Sequence, residues 1–221
     1  TSDEDEEYSD IEYKREILFK KQDLRKDYII TSIIKVVDNI LKKYEKINSN
    51  IIKYNILPIT LEYGLIEIVP NSETIYNIEF KKQFSIQNYI LENNPHEDLH
   101  KVRTRFVKSC AIFCVIGYLF GIGDRHLENI MITHKGIIFH IDFDYILGED
   151  PKPFQPEIRL TPEMILAMGG EKSVYYKDFK NLCVEIYNCL RRHVNVFYHL
   201  LLLFNKTEPI IDYKYTEEYI R

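Results

Sequence analysis

Residues 121–148, GIGDRHLENIMITHKGIIFHIDFDYILG, constrain this chain more than any other stretch. They hold two apolar runs, Ile130 to Ile132 and Ile137 to Ile141, separated by His134-Lys135-Gly136. Runs rich in β-branched residues on either side of a glycine-containing turn read as a β-hairpin. Polar residues crowd the open end: Asp124-Arg125-His126-x-x-Asn129 before the first run and Asp142-Phe143-Asp144 after the second. Closing the hairpin returns Asp142 to the neighbourhood of Asn129. Taken singly, each has a bland explanation: a turn cap for Asp124, a core histidine at His126, a strand end at Asp142. Packing alone does not explain why all of them gather at one hairpin end.

An amide oxygen beside a carboxylate is a hard, all-oxygen pair suited to Mg²⁺, which takes few protein ligands and completes its shell with phosphates and water. Protein kinases hold their ions in this way, with a catalytic-loop Asn and the Asp of DFG, while the Asp of HRD accepts the substrate proton. Here the first motif reads DRH. That inversion resembles the phosphatidylinositol 3-/4-kinase superfamily, which also includes the large protein kinases related to it.

The rest of the sequence is compatible with that direction. With 45% hydrophobic residues, 221 residues can bury a substantial core as one domain or two small lobes. A net charge of -5 argues against nucleic acid as the main partner but leaves room for a local basic patch at an anionic membrane. The four cysteines form no CxxC pair and read as reduced thiols of a cytoplasmic protein. No signal peptide is recognisable, and the run Val196 to Phe204 is far too short to span a bilayer.

Periodicity gives the elements in order. The acidic run 1–10 reads as loop or disorder, followed by a strand from Arg15 to Lys20 and an amphipathic helix from about Lys26 to Lys46. Strand-like runs follow at Ile52 to Leu57, Ile59 to Tyr63 and Leu65 to Val69, then a short helix near Ser85 to Leu91 and a long one over His96 to Phe120. After the hairpin, the four prolines of residues 150–162 predict a loop. Helices are expected at Pro162 to Met168 and from about Tyr176 to Phe204, the latter broken near Arg192-His193.

The resemblance extends along most of the chain. Phe19-Lys20-Lys21-Gln22-Asp23-Leu24-Arg25-Lys26-Asp27 is similar to the superfamily's FKxGDDLRQD, and Gly64 to Val69 resembles its interlobe hinge. Ser85-Ile86-Gln87-Asn88, Asp150-Pro151-Lys152-Pro153 and Met168-Gly169-Gly170 look most like class III phosphatidylinositol 3-kinases, the vacuolar protein sorting type. The resemblance implies an α+β, bilobal kinase-like fold: a partial N-terminal lobe of sheet plus helix over 1–70, and a larger, mainly helical C-terminal lobe over 71–221. The catalytic loop is then 121–130 and the activation loop 142–162.

It also implies roles. Lys20 contacts ATP phosphates, Asp27 and Tyr54 line the inner adenine pocket, backbone groups of Glu67 and Val69 bond adenine, and Met131 and Ile141 form its apolar floor. Asp27, near a helix start, has a simpler reading as a cap. His126 takes the proton from the inositol 3-hydroxyl, as an imidazole can near neutral pH. Asp124 positions that base or the hydroxyl, Arg125 braces the loop or a phosphate, and Asn129 and Asp142 hold Mg²⁺, or Mn²⁺ in its place. Lys152 and Arg159 face the lipid head group, and so few basic residues suit plain phosphatidylinositol.

The implied reaction is phosphatidylinositol 3-phosphate synthesis at the surface of endosomal or autophagic membranes. The implied partners are a regulatory kinase-like subunit and a coiled-coil adaptor. Other readings are a catalytically impaired kinase-like scaffold and a protein kinase of the related large family. Three departures from the pattern stand out. Lys21-Gln22 replaces Gly-Asp in a segment one residue short, Asp144 stands where DFG has glycine, and no glycine precedes Gly64 to build a phosphate loop. The terminal amphipathic helices of the family are also expected to be missing, so that these residues alone are weakly active. Aspartate tolerates the left-handed backbone that such a glycine often adopts, so Asp144 is expected to leave the fold intact.

Overall fold

A computed structural model describes residues 15–153 and 156–205; the acidic run 1–10 and everything after 205 lie outside the described residues. The chain is a mixture of α and β built from two small antiparallel sheets and six α-helices among the described residues.

The first sheet has the order β1-β3-β2, from Ile17–Lys20 (β1), Ile56–Pro58 (β2) and Gly64–Glu67 (β3). Helix α1, Arg25–Tyr44, runs between β1 and β2 and buries Ile29, Ile30, Ile33, Ile34, Val37 and Leu41, the stripe its 3.6-residue period sets out. Asp38 falls inside that stripe and is fully buried. Its carboxylate accepts from Lys42 Nζ at 2.8 Å and also pairs with Lys53 and the Ser49 hydroxyl, which fastens the 45–55 loop to the helix. Burial pushes its carboxyl up, but those three donors bring it below the ordinary value.

Near this sheet the expected strands shift: of Ile52 to Leu57 only Ile56 and Leu57 lie in a strand. Ile59 to Tyr63 is a turn, because the Thr60 hydroxyl accepts the N–H groups of Glu62 and Tyr63, each at 3.1 Å, and Ile59 and Thr60 both donate to the Tyr63 carbonyl. Such local side-chain bonds compete with strand pairing. In the other direction, the polar stretch after Pro70 contains strand β4, Ser72–Thr74, followed by a π-helical turn, Asn77–Lys81.

The second sheet joins β4 to the hairpin of β5, Ile130–Thr133, and β6, Ile138–His140, in the order β4-β5-β6. Ile130 faces His140, Met131 faces Phe139 and Ile132 faces Ile138. Helix α2, Ile86–Asn93, begins at Ser85, whose hydroxyl accepts the Asn88 N–H at 3.1 Å. Helix α3, Leu99–Leu119, forms the centre of the larger core, packed against β6 and against α5, Val174–Arg192. The short α4, Pro162–Ala167, and α6, Val194–Asn205, complete the order. The break between α5 and α6 falls at His193, whose ring nitrogen Nδ1 lies 2.8 Å from the Cys189 carbonyl.

Candidate active site

The hairpin brings its two polar flanks together as its spacing requires. Beyond the Ile130–His140 pair the chains stay joined, with Ile141 N–H donating to the Asn129 carbonyl at 3.1 Å. Asn129 is buried, and its Nδ2 donates to the Asp124 carbonyl at 3.0 Å. Among the described residues nothing donates to its Oδ1, so the amide presents an uncommitted oxygen beside the strand that ends at Asp142.

Arg125 holds the two flanks together. Its Nε donates to the Gly123 carbonyl at 2.8 Å, one terminal nitrogen to the Ile141 carbonyl at 2.8 Å, and the other to the Asp142 carbonyl. The guanidinium also lies 5.3 Å from the centre of the Phe143 ring. Of the two roles expected for Arg125, this is the bracing one. A second seam comes from Asp150, whose Oδ2 accepts the Asp124 N–H at 2.9 Å. Gly123 is required there, since a Cβ at that position would stand 2.2 Å from the Glu149 carbonyl oxygen.

Asp124 and Asp142 both adopt left-handed backbone, with φ of 50° and 60°. Aspartate is among the few side chains that accept this region without a large penalty. Asp144 does not adopt it, so the glycine-like demand lies at Asp142 and the expectation for Asp144 is displaced by two residues.

His126 is half-buried, with Nε2 at 3.5 Å from Asp124 Oδ2 and Nδ1 at 3.8 Å from Glu128 Oε2. The other oxygen of Asp124, Oδ1, lies 3.5 Å from Lys152 Nζ. Lys152 thereby joins the DRH cluster from the loop after β6, and Asp124 lies between an ammonium and an imidazole. Arg159 takes no part in this cluster. Its carbonyl accepts from Cys114 Sγ at 3.7 Å, which seats it against α3, and no hydrogen bond or ion pair joins it to Asp124, His126 or Lys152.

From the first sheet, Lys20 Nζ reaches Asp142 Oδ2 at 3.3 Å, with both side chains about a third exposed. Asp27 is not a helix cap: α1 is preceded by Leu24 without a side-chain cap. Its Oδ1 accepts the Phe143 N–H at 3.0 Å, while its Oδ2 is buried without a partner among the described residues. Burial, and after it the charges of Asp142 and Asp144, push the Asp27 carboxyl up to about 6, against the Phe143 bond, which acts to lower it. Tyr54, also buried, donates its hydroxyl to the His140 carbonyl at 3.1 Å, and its ring meets Phe139 edge-on at 6.1 Å.

Met131, Phe139 and Ile141 share one face of the hairpin by the alternation of strand side chains, and Met131 and Ile141 stay only half-buried. In the first sheet, Asn55 stands opposite Glu67 but donates its N–H to the Glu67 side-chain Oε2 at 3.0 Å instead of to the carbonyl. No group among the described residues bonds the Val69 N–H. The Glu67 carbonyl thus lacks that ladder partner and the Val69 N–H is free among the described residues.

Two further contributors, Asp150 and Gln22, carry no sequence signal of their own roles: Asp150 reads as part of a class III-like, proline-rich loop, and Gln22 as a departure from a pattern. Gln22 Nε2 in fact donates to the Asp144 carboxylate. Burial and the neighbouring Asp142 raise the Asp144 carboxyl above its ordinary value. Lys20, Asp27, Tyr54, Arg125 and Lys152 each bond or pair with the hairpin or its flanks, whereas no bond joins Glu67, Val69 or Arg159 to them among the described residues.

Comparison with known proteins shows the chain's family. The family model for phosphatidylinositol 3- and 4-kinase matches residues 15–85 and 76–214. The chain is 39% identical over 214 residues to phosphatidylinositol 3-kinase pik3 of Schizosaccharomyces pombe, covering 93% of this chain and 26% of that protein. Against phosphatidylinositol 3-kinase VPS34 of Saccharomyces cerevisiae it is 40% identical over 202 residues, covering 89% and 23%. Against that of Arabidopsis thaliana it is 39% identical over 202 residues, covering 88% and 24%. The chain therefore spans about a quarter of the length of these relatives.

Proposed function

Since the chain belongs to the phosphatidylinositol 3- and 4-kinase family, we propose that it carries the phosphoryl-transfer centre of a lipid kinase that phosphorylates the 3-hydroxyl of phosphatidylinositol from ATP. The observation that carries this reading is the convergence of Lys20, Asp124, His126, Asn129 and Asp142 at one hairpin end. We further infer a bilobal arrangement, with residues 15–70 as the described part of the smaller lobe and 71–205 as that of the larger.

The donor set fits a divalent cation. Asn129 keeps its Oδ1 uncommitted, and Asp142 faces the cation Lys20, which marks its carboxylate as a place where positive charge is favourable. Asn129 and Asp142 would hold Mg²⁺, which supplies charge neutralisation to the transferring phosphate. The protein's own groups account for the remainder. Lys20 offers an ammonium to the phosphates of ATP, and the Val69 N–H with the Glu67 carbonyl reads the adenine edge above Met131 and Ile141. His126 receives the inositol hydroxyl proton, and Asp124 orients the imidazole and favours its charged form as the proton arrives. Lys152, already beside Asp124, faces the approach of the head group.

The setting is a phosphatidylinositol-bearing endosomal or autophagic membrane, in an assembly with a regulatory kinase-like subunit and a coiled-coil adaptor. No helix among the described residues is long and apolar enough to cross a membrane. The test is transfer of labelled phosphate from ATP to phosphatidylinositol liposomes, with a protein substrate and phosphatidylinositol 4,5-bisphosphate liposomes in parallel. Label in phosphatidylinositol 3-phosphate alone is expected. Label in protein alone, or in no substrate, refutes it.

A further inference from the structure

Gln22 and Asp144, two departures from the kinase pattern, meet each other, although 122 residues separate them. The Gln22 amide donates to both oxygens of the Asp144 carboxylate. The Asp144 carbonyl in turn accepts from Lys26 Nζ at 2.9 Å, and the same ammonium pairs with Glu149 Oε2 at 2.8 Å. On either side lie the Lys20–Asp142 pair at 3.3 Å and the Asp27 bond to the Phe143 N–H at 3.0 Å. Residues 20–27 thus hold residues 142–149 through Lys20, Gln22, Lys26 and Asp27.

The chemistry of the pair is matched in a way that either change alone would not be. Aspartate in place of Gln22 would set one carboxylate against another at a half-buried spot, which is unfavourable. Glycine in place of Asp144 would leave the amide without its acceptor. Both carboxylate oxygens already accept from Gln22, so Asp144 offers a cation a competed site, while Asp142 two residues earlier faces only an ammonium. We propose that Gln22 and Asp144 are a matched positioning pair that fixes the segment after β6 against the segment after β1, and so sets the separation of Lys20 from Asp142. Asp144 is then no cation ligand. Only the effect on turnover rests on the kinase reading; the pairing itself does not.

The test exchanges the partners in the full chain. Gln22→Asp opposes two carboxylates, and Gln22→Asp with Asp144→Gln restores an amide facing a carboxylate with the same summed side-chain length. In amide hydrogen exchange, Gln22→Asp is expected to speed exchange of residues 143–149 by about tenfold, the opening equivalent of one hydrogen bond to a charged group. The exchanged pair is expected to return it to within about twofold of wild type, with α3 unchanged throughout as a check on the fold. Wild-type exchange in Gln22→Asp, or no recovery in the exchanged pair, overturns the proposal. In turnover, the same order is expected in KM for ATP, with kcat and the Mg²⁺ concentration for half activity nearly constant. If Asp144→Asn shifts the Mg²⁺ dependence while Gln22→Asp does not, Asp144 is a cation ligand and the proposal falls. If wild type transfers no phosphate, the kinase reading fails while the exchange order still decides the pairing.

Discussion

Replacing Asp27 by Asn should make the protein more stable at pH 8 and leave it unchanged near pH 4. Asn keeps the shape and the Oδ1 that accepts the Phe143 N–H, while it removes a charge that burial disfavours. The charged groups around it are Asp142 and Asp144, which oppose ionisation, and Lys20, which favours it; Tyr54 and Arg125 also feel its charge. A carboxyl raised from the ordinary 3.8 to about 6 corresponds to about 3 kcal/mol, at about 1.4 kcal/mol for each tenfold change in proton affinity. The sign follows from proton counting. Between those two values the folded protein binds more protons than the unfolded chain, so unfolding free energy falls as pH rises. The contribution is complete below 3.8 and gone above about 6. Urea unfolding of both proteins from pH 4 to 8, with EDTA present to keep cations from Asp142, reads the difference. Expected is a gap that opens as pH rises above 3.8 and levels off above about pH 6 at up to about 3 kcal/mol in favour of Asn. Parallel curves, or a less stable Asn variant at pH 8, refute the reasoning and make Asp27 a stabilising anion.

Asp142→Asn should lower phosphate transfer by about 100-fold or more with little change in Tm by scanning calorimetry, because Asn also tolerates the left-handed backbone of that position. Asp38→Ala should cost about 1–2 kcal/mol in urea unfolding, as it leaves the buried Ser49 hydroxyl without its acceptor and frees Lys42 and Lys53 to solvent. Since the Asp38 carboxyl is held low in the fold, that stabilisation is present above pH 3.8 and lost as pH falls further. Lys152→Glu should depress lipid phosphorylation and lipid-free ATP hydrolysis together, because a carboxylate would then face Asp124; loss of the lipid reaction alone would make Lys152 a head-group contact only.

The parts of this site that could be read in advance are local. Asp124, His126, Asn129 and Asp142 lie on one hairpin, and strand periodicity with a glycine turn suffices to bring them together. Lys20, Asp27 and Tyr54 came from resemblance, since nothing in their own neighbourhood announces a partner more than 80 residues away, as Tyr54 has in His140. Asp38 looks like a solvated helix residue until Ser49 and Lys53 fold back on it. Strand β4 is short and polar, and only its pairing with β5 makes it a strand. Ile59 to Tyr63 shows the converse, an apolar run that one threonine hydroxyl turns into a loop.

The 122 residues between Lys20 and Asp142 have a consequence for how the protein is made. The β5–β6 hairpin closes over the 12 residues from Asn129 to Ile141, whereas the lysine contact must close a loop ten times longer. Loop entropy alone makes that second closure costlier by about 2 kcal/mol. During synthesis at about 5–20 residues per second, the Lys20 strand waits roughly 6 to 24 s for its aspartate to be made. Throughout that interval β1 carries Ile17, Leu18 and Phe19, which stay largely exposed even in the finished fold. The nascent chain therefore shows an adhesive strand edge well before the aspartate that pairs with Lys20 has been made, and that interval is when a chaperone is most needed.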